Sequence, residues 1–323
     1  MLSIQGKTYK ERMEFAPTHP ILQITQEEME KARQLFNINK DVMLQDMDTI
    51  EEWCLKEEHL VEAMKYLHRE ILERLYLLAR GSVESTKQNI EKFFTVRGMI
   101  GELALKKSID EFDKVVENIN FLPLPKLTKD LSRVIMIQFV TGKWDDFNFE
   151  SFVRYAFLII DYMMHFDYNL TQTFVVDLKN FFVQDVIKLN PLVVKKGEIL
   201  STVYVSTGIN GIHIINAPSF LDSVVSVIKR GLTNMTSKLF VHSTYEDLYK
   251  MIPRDILPGD YGGNAASCPK LAEQWKDCLH SEEAKHIVEN FNKVTSDESK
   301  RSSYKFNEEY LGMPGSFKQL SVD

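Results

Sequence analysis

The chain has few cysteines and no long hydrophobic run, and each absence excludes a class of protein. Its 323 residues include only Cys54, Cys268 and Cys278, whose spacing fits no metal site. This usage is typical of reduced thiols in a cytoplasmic protein. A membrane span needs about 18 uninterrupted apolar residues, and Arg154 and Asp161 interrupt the most apolar stretch. The first residues lack the apolar core of a secretion signal, so we expect a cytoplasmic protein.

The chain also lacks the short motifs of the common enzymes. Glycine-rich phosphate loops, the nucleophile elbow of hydrolases and the paired histidines of zinc hydrolases are all absent. A net charge of -7 disfavours a nucleic-acid partner, since phosphate contacts need a basic surface. We therefore predict a protein without catalytic residues, metal or cofactor, and not an enzyme.

Two polar residues keep an enzyme hypothesis open. Asp177 and His213 each lie within or at the end of an apolar run that predicts a central strand. The alternative is structural: a hydrogen-bonded core histidine, and an aspartate that caps the turn after its strand. We favour the structural alternative, because no nucleophile or second base can be assigned beside them.

The first third of the sequence predicts helices. Thr25 and Glu28 have the spacing of a capping box, and Asp48 and Glu51 repeat it. An apolar stripe at helical spacing over residues 61–78 predicts one long helix that ends at Gly81. Ser82 can cap the helix that follows.

The pattern changes after the helices. Residues 118–126 contain Pro123 and Pro125 and predict an extended linker. Beyond it, short apolar runs alternate with the helical stretches 149–166 and 218–232, which predicts a mainly parallel sheet with helical crossovers. The predicted strands are residues 134–140, 173–178, 211–216 and 238–242.

The crossover helices carry more apolar surface than one sheet face needs. Within 218–232, apolar residues form one helical face, with Asp222, Lys229 and Arg230 elsewhere. Residues 152–164 are apolar on more than one face. The pattern fits a thick core or an enclosed cavity, and it does not distinguish them.

Several motifs together resemble the CRAL-TRIO lipid-binding family. The similarity is carried first by residues 211–218 (Gly-Ile-His-Ile-Ile-Asn-Ala-Pro), 240–242 (Phe-Val-His) and 256–263 (Ile-Leu-Pro-Gly-Asp-Tyr-Gly-Gly). Further support comes from residues 77–80, 142–145 and 175–178. The tail, residues 315–323, is similar to the endings of insect members related to α-tocopherol transfer protein and retinaldehyde-binding protein.

The resemblance implies an α/β fold, in which an all-helical N-terminal lobe precedes a mainly parallel sheet flanked by helices around a gated hydrophobic pocket. The expected divisions are an N-terminal extension (1–24), the helical lobe (25–117), a linker (118–130), the CRAL-TRIO domain (131–265), and C-terminal helices with a tail that packs on it (266–323).

The resemblance also implies a function. It predicts a monomeric carrier of a tocopherol, retinoid, carotenoid or similar lipid, whose gate helix, residues 217–232, opens at a membrane. Strand alternation leaves open which parity faces the ligand. Candidate pocket residues are Phe152, Tyr155, Ile159, Phe174, Val176, Ile212, Ile214, Phe220, Leu221, Val224, Val225 and Ile228.

Relatives that transfer tocopherol use a basic cluster beside the gate to bind phosphoinositides. Arg80 and Lys238 match two of its positions, whereas Gly208 and Asn234 replace two lysines. Lys229 and Arg230 are the candidates to substitute for them. The resemblance thus predicts transient contact with a membrane surface and with phosphoinositides. It also leaves an alternative: a phosphoinositide-responsive membrane adapter in which lipid cargo is secondary.

Overall fold

The N-terminal third folds into helices, as its apolar stripes predict. In the computed structural model, the described residues are 8–140, 148–204, 208–231 and 238–301. The motif at 142–145 and the tail at 315–323 lie outside them. The helices are α1 (Tyr9–Arg12), α2 (Gln26–Gln34), α3 (Lys40–Cys54), α4 (Val61–Met64), α5 (Arg69–Leu78), α6 (Val83–Met99), α7 (Gly101–Ala104) and α8 (Ile109–Val115).

A five-stranded sheet follows, with its strands in sequence order. The last four strands are parallel, as predicted, and the first is antiparallel to its neighbour. The strands are β1 (Ile119–Leu127), β2 (Ser132–Phe139), β3 (Thr171–Asp177), β4 (Ile209–Ile215) and β5 (Leu239–Val241).

Strand β1 corrects the prediction of a linker at residues 118–130. Proline has no N–H to donate and is therefore confined to sheet edges and irregular positions. Pro123 and Pro125 satisfy that rule, because β1 is an edge strand and its register shifts between Pro123 and Leu127. Their carbonyls are also used: Trp275 Nε1 donates to Pro123 at 3.1 Å and the Gln23 amide to Pro125 at 2.8 Å.

Helices connect the parallel strands and complete the C-terminal part. Because the strands are in sequence order and parallel crossovers are right-handed, the three crossover helices lie on one face of the sheet. A 3-10 segment (Val183–Lys188) precedes the second of them. The crossover helices are α9 (Phe149–Met163), α10 (Pro191–Ser201) and α11 (Leu221–Gly231), and the later helices are α12 (Tyr245–Tyr249), α13 (Cys268–Leu279) and α14 (Glu282–Phe291).

The N-terminal segment is packed against the lobe and the sheet. Ile21 and Leu22 are buried, and the Tyr9 hydroxyl donates to the buried carboxylate of Glu73 at 2.7 Å. With the Gln23 bond to β1, these contacts bind residues 8–24 to both parts of the molecule. The division of the chain into domains stays a proposal.

Buried ion pairs join helices that are distant in the sequence. Arg97 of α6 donates to Asp161 of α9 at 2.9 Å, and to the carbonyl of Phe291 at 2.6 Å. Lys107 binds the same carboxylate, and burial lowers the pKa of its ammonium to about 7. A buried carboxylate is stable only when its charge is matched. Separation of α6 from α9 would leave Asp161 without its Arg97 partner, so this ion pair stabilises the packing of the two helices.

Candidate functional site

One face of the sheet is lined with apolar side chains. Residues paired across neighbouring strands point to the same face. Two rows cross the central strands here: Ile135, Phe174 and Ile212, then Ile137, Val176 and Ile214. All four strand residues predicted for the pocket wall belong to these rows, so they share one parity, which the sequence left open.

Helix α9 covers this face and brings two more predicted residues to it. The ring of Phe121 on β1 lies 6.4 Å from that of Phe152 and 6.3 Å from that of Tyr155. It also lies 6.3 Å from the ring of Phe174 on β3. Phe121 therefore joins α9 to the sheet, and the sequence prediction missed it because it assigned this segment to a linker. Ile159 is fully buried on the same helix.

The apolar rows are incompletely covered at the centre of the sheet. Phe174, Val176 and Ile212 are half-buried, although β3 and β4 are interior strands and α9 lies over this face. Val175, which points to the opposite face, is 0% exposed. The two rows are thus covered at Ile135 and Ile214, which are buried, and leave apolar surface accessible at Ile137, Phe174, Val176 and Ile212.

Helix α11 is amphipathic and corresponds to the predicted gate. Val224 is buried, whereas Asp222 and Ser226 are exposed. The helix packs on α10 and on the 3-10 segment, and the ring of Phe220 lies 6.4 Å from that of Phe181. Leu232 lies outside the described residues. The other predicted apolar residues of the gate are half-buried: Phe220, Leu221, Val225 and Ile228.

An exposed apolar surface adjoins the gate. We call this surface, made of Phe182, Val183, Ile187 and Leu192, the apolar patch; all four side chains are exposed. It follows Phe181 directly and includes the 3-10 segment that contacts α11. Several large apolar side chains exposed in one short segment mark a candidate contact surface. The sequence prediction missed the patch, because exposure is not visible in a sequence.

The predicted basic residues are dispersed in the structure. Arg80 is exposed after α5, with a positive φ of 57°. Lys238 donates to the carbonyl of Ile209 at 2.6 Å, so its ammonium stabilises β4. Arg230 is exposed, whereas the side chain of Lys229 and the whole of Asn234 lie outside the described part. In that part, no hydrogen bond or ion pair joins Arg80, Arg230 and Lys238.

Asp177 lies on the opposite face of the sheet and is fully hydrogen-bonded. Its carboxylate accepts from the Lys179 amide at 2.9 Å, from Asn216 Nδ2 at 2.9 Å and from the Tyr261 hydroxyl at 2.6 Å. Burial raises the pKa of Tyr261, so it stays a donor. The expected role of Asp177 as a turn cap is confirmed.

His213 is a core residue with a histidine partner. Its Nδ1 lies 2.9 Å from Nε2 of His242, and its ring stacks on Phe240 with centroids 5.1 Å apart. Burial lowers the pKa of His213 to about 4, so the ring is neutral at physiological pH. A cleft of about 230 Å³ lies beside this pair and includes His242 and Asn216 in its lining. In the described residues, Asp177 and His213 share no hydrogen-bond partner, as the structural alternative predicts.

Neither a membrane span nor a metal cluster is found in the described ranges. None of their helices combines the length and apolar character that crossing a bilayer requires. Within the same ranges, no three His, Cys, Asp or Glu side chains are grouped so that they could hold a metal ion.

Part of the chain matches a known domain family, and most of the chain aligns with distant relatives. The family model of the CRAL/TRIO domain matches residues 117–263. Clavesin-2 of Mus musculus is 23% identical over 313 residues, which cover 89% of this chain and 90% of that protein. Clavesin-2 of Homo sapiens is 24% identical over 267 residues, 76% of each chain. The crystal structure of Sfh5 aligns with a TM-score of 0.42 at 17% identity, covering 70% of this chain and 88% of that one.

The family match and the fold lead to one assignment. The matched range begins just before β1 and ends after β5, and it contains the whole sheet and its crossover helices. The matched family is one of lipid-binding and lipid-transfer proteins. The chain carries a CRAL/TRIO domain, matched over residues 117–263.

Proposed function

We propose that this protein binds one hydrophobic small molecule, a tocopherol, retinoid, carotenoid or similar lipid, between the sheet, α9 and α11. The proposal rests on one observation: Phe174, Val176 and Ile212, which belong to the two apolar rows at the centre of the sheet, are only half-buried. An interior strand covered by a helix normally has filled neighbours on both faces. A ligand that covers these residues completes the core.

The chemistry of the lining favours a nonpolar ligand. None of the twelve candidate pocket residues carries a charge, and the hydroxyl of Tyr155 contacts the carbonyl of Phe121 at 3.4 Å. Transfer of apolar surface out of water contributes about 25 cal/mol per Å². A ligand that buries about 200 Å² of apolar surface would therefore gain about 5 kcal/mol from this term alone.

The proposed route of exchange is movement of α11 at a membrane. Its apolar face would leave the pocket and rest on the bilayer, where an amphipathic helix is stable. The apolar patch beside α11 supports this step, because it would hold the mouth of the pocket against lipid. We further propose that the protein acts as a monomer in the cytoplasm, consistent with three buried, unbridged cysteines.

The cargo can be tested directly. Purified protein is extracted with organic solvent, and the extract is analysed by mass spectrometry, with protein unfolded before purification as the blank. The proposal expects one lipid class at close to one molecule per chain. A protein that is empty, and that takes up no retinoid, tocopherol, carotenoid or sterol from liposomes, contradicts it.

The apolar patch also supports a second function, a membrane adapter that responds to phosphoinositides. This function predicts that liposome binding depends on the head group and falls for Arg80→Ala and Arg230→Ala, while cargo is dispensable. Lys238→Ala is less informative, since its ammonium stabilises the backbone at Ile209. Binding that is equal for phosphatidylinositol phosphates and phosphatidylserine argues against the adapter.

A further inference from the structure

A buried arginine outside the proposed lipid site has two nitrogens without a hydrogen-bond partner. Arg74 of α5 is 6% exposed, and its Nε and Nη1 have no hydrogen-bond partner in the described part of the chain. Its guanidinium stacks on Tyr168 at 3.4 Å from the ring centroid. Its nearest carboxylate oxygen, on Glu73, is 3.6 Å away, too far for a hydrogen bond. A guanidinium is always charged, so Arg74 is a buried cation with unused donors.

The carboxylate next to Arg74 is already used by other groups. Glu73 accepts from Arg33 at 2.6 and 3.1 Å, from the Tyr9 hydroxyl at 2.7 Å and from the Tyr168 hydroxyl at 3.1 Å. Both tyrosines stay neutral, because burial raises their pKa. The cluster of Arg33, Arg74 and Glu73 thus has two positive charges and one negative charge. Within the residues that the structure describes, the two arginines share the single carboxylate of Glu73, so one buried positive charge has no counterion of its own, which is unfavourable.

A small cavity lies next to this charge. Its volume is about 30 Å³, and Arg74 lines it together with Asp167, Asn169 and Gln172. Asp167 does not neutralise Arg74, because Arg133 binds both of its oxygens at 2.8 and 2.7 Å. One water needs about 10 to 15 Å³ of such space, so the cavity holds one monatomic ion or about two waters.

We propose that this cavity binds a small monovalent anion, a halide such as chloride, through the guanidinium of Arg74. An anion there balances the charge of the Arg33, Arg74 and Glu73 cluster and gives the unused N–H donors an acceptor. Asn169 and Gln172 line the same space, and Nδ2 of Asn169, which donates one N–H to the Thr171 carbonyl at 3.1 Å, keeps a second N–H. Since Arg74 belongs to the helical lobe and Gln172 to β3, the anion joins the lobe to the sheet. This site does not depend on any lipid cargo.

Thermal unfolding in matched salts tests the site. The wild-type Tm is measured in sodium chloride and in sodium gluconate at the same ionic strength. An anion that binds only the folded protein raises Tm, here by about 2 to 4 °C in chloride. Arg74→Met keeps the length of the side chain and removes the charge, so its Tm is expected to be the same in both salts. Arg12→Met removes an arginine from the partly exposed pair with Glu70 and keeps the chloride effect.

A crystal grown in sodium bromide locates the ion independently of any variant. An anomalous peak within contact distance of the Arg74 guanidinium supports the proposal, also if Arg74→Met fails to fold. Ordered waters at that position with no anomalous signal overturn it. Equal wild-type Tm values in chloride and gluconate overturn it as well.

Discussion

The ring of Phe181 lies 6.4 Å from the ring of Phe220, and this contact joins the segment before α10 to the start of α11. Phe181 is buried, and Phe220 is half-buried. Ring pairs at this distance contribute about 0.5 to 1.5 kcal/mol beyond their buried area. If α11 is the gate, this contact holds it closed at one end.

Phe220→Leu should therefore speed the release of bound lipid. Loss of the ring pair corresponds to a roughly 2- to 10-fold faster release, measured by stopped-flow transfer of a fluorescent lipid to acceptor liposomes. Phe93→Leu is the control, because it removes a ring pair with Tyr204 away from α11 and should lower stability only. Equal release rates in Phe220→Leu and the wild type would exclude this contact as a latch.

Val176 and Val175 are sequence neighbours on opposite faces of β3, and they should respond differently to enlargement. Val175→Phe adds volume to a filled core and should cost about 1 to 3 kcal/mol of unfolding free energy. Val176→Phe extends into the half-buried row, so it should cost much less and reduce bound lipid. Denaturant unfolding and lipid mass spectrometry measure the two effects. If Val176→Phe destabilises as much as Val175→Phe, that face is already filled.

Local signals in the sequence predicted the helical lobe only in part. The capping box at Thr25 and Glu28 is confirmed, since both hydrogen bonds form. The prediction of a second capping box at Asp48 and Glu51 is wrong. Both residues lie inside α3, whose N-cap is Asn39. A continuous apolar stripe runs along α3 on both sides of Asp48, and all of its residues are fully buried: Met43, Met47, Ile50 and Cys54. An apolar stripe, which reflects burial along the whole helix, thus outweighs an isolated pair of polar residues.

The predicted single helix over residues 61–78 is two helices. α4 ends at Met64, and His68 is extended, with φ −72° and ψ 153°, before α5 begins. Leu67 lies within this break and is buried, so its side chain belongs to the core although the helix is interrupted. Neither glycine nor proline occurs between residues 61 and 78 to signal it.

The candidate site depends on contacts between distant residues, which periodicity cannot supply. The parity of the pocket wall follows from the register of β3 against β2 and β4. The contact of Phe121 with Phe174 exists because β1 is a strand rather than a linker. The sequence shows which residues are apolar, and the register of the sheet determines which of them are in contact.

The apolar patch predicts a separation between cargo binding and membrane binding. Ile187 is 86% exposed, so Ile187→Asp should leave stability and bound lipid unchanged. It places a charge where a bilayer would accept an apolar group, and we expect at least a 5-fold loss of liposome binding in a sedimentation assay, in line with about 1 kcal/mol or more. Leu55→Asp is the matched control, since Leu55 is also exposed, at 59%, but lies in the helical lobe. If both variants bind liposomes equally, the patch is not the membrane contact.

His213 predicts a loss of stability in acid. Its folded pKa is about 4, below the ordinary value of 6.5, because burial disfavours the imidazolium. Between these two pH values the unfolded chain binds a proton that the folded chain does not, so the free energy of unfolding falls as the pH is lowered from 6.5 to 4. The contribution of His213 is at most about 1.4 kcal/mol per pH unit.

His213→Gln should remove that contribution, because glutamine keeps hydrogen-bonding capacity and does not titrate in this range. Urea unfolding at pH 7, 6, 5 and 4.5 should give a shallower pH dependence than the wild type. Val175→Ala, the register partner of His213 on the same face, should lower the free energy by the same amount at every pH. His242, whose pKa burial also lowers, remains in both variants and keeps part of the slope. A wild-type slope in His213→Gln would mean that the His213 ring is already protonated, or accessible to water, in the folded protein.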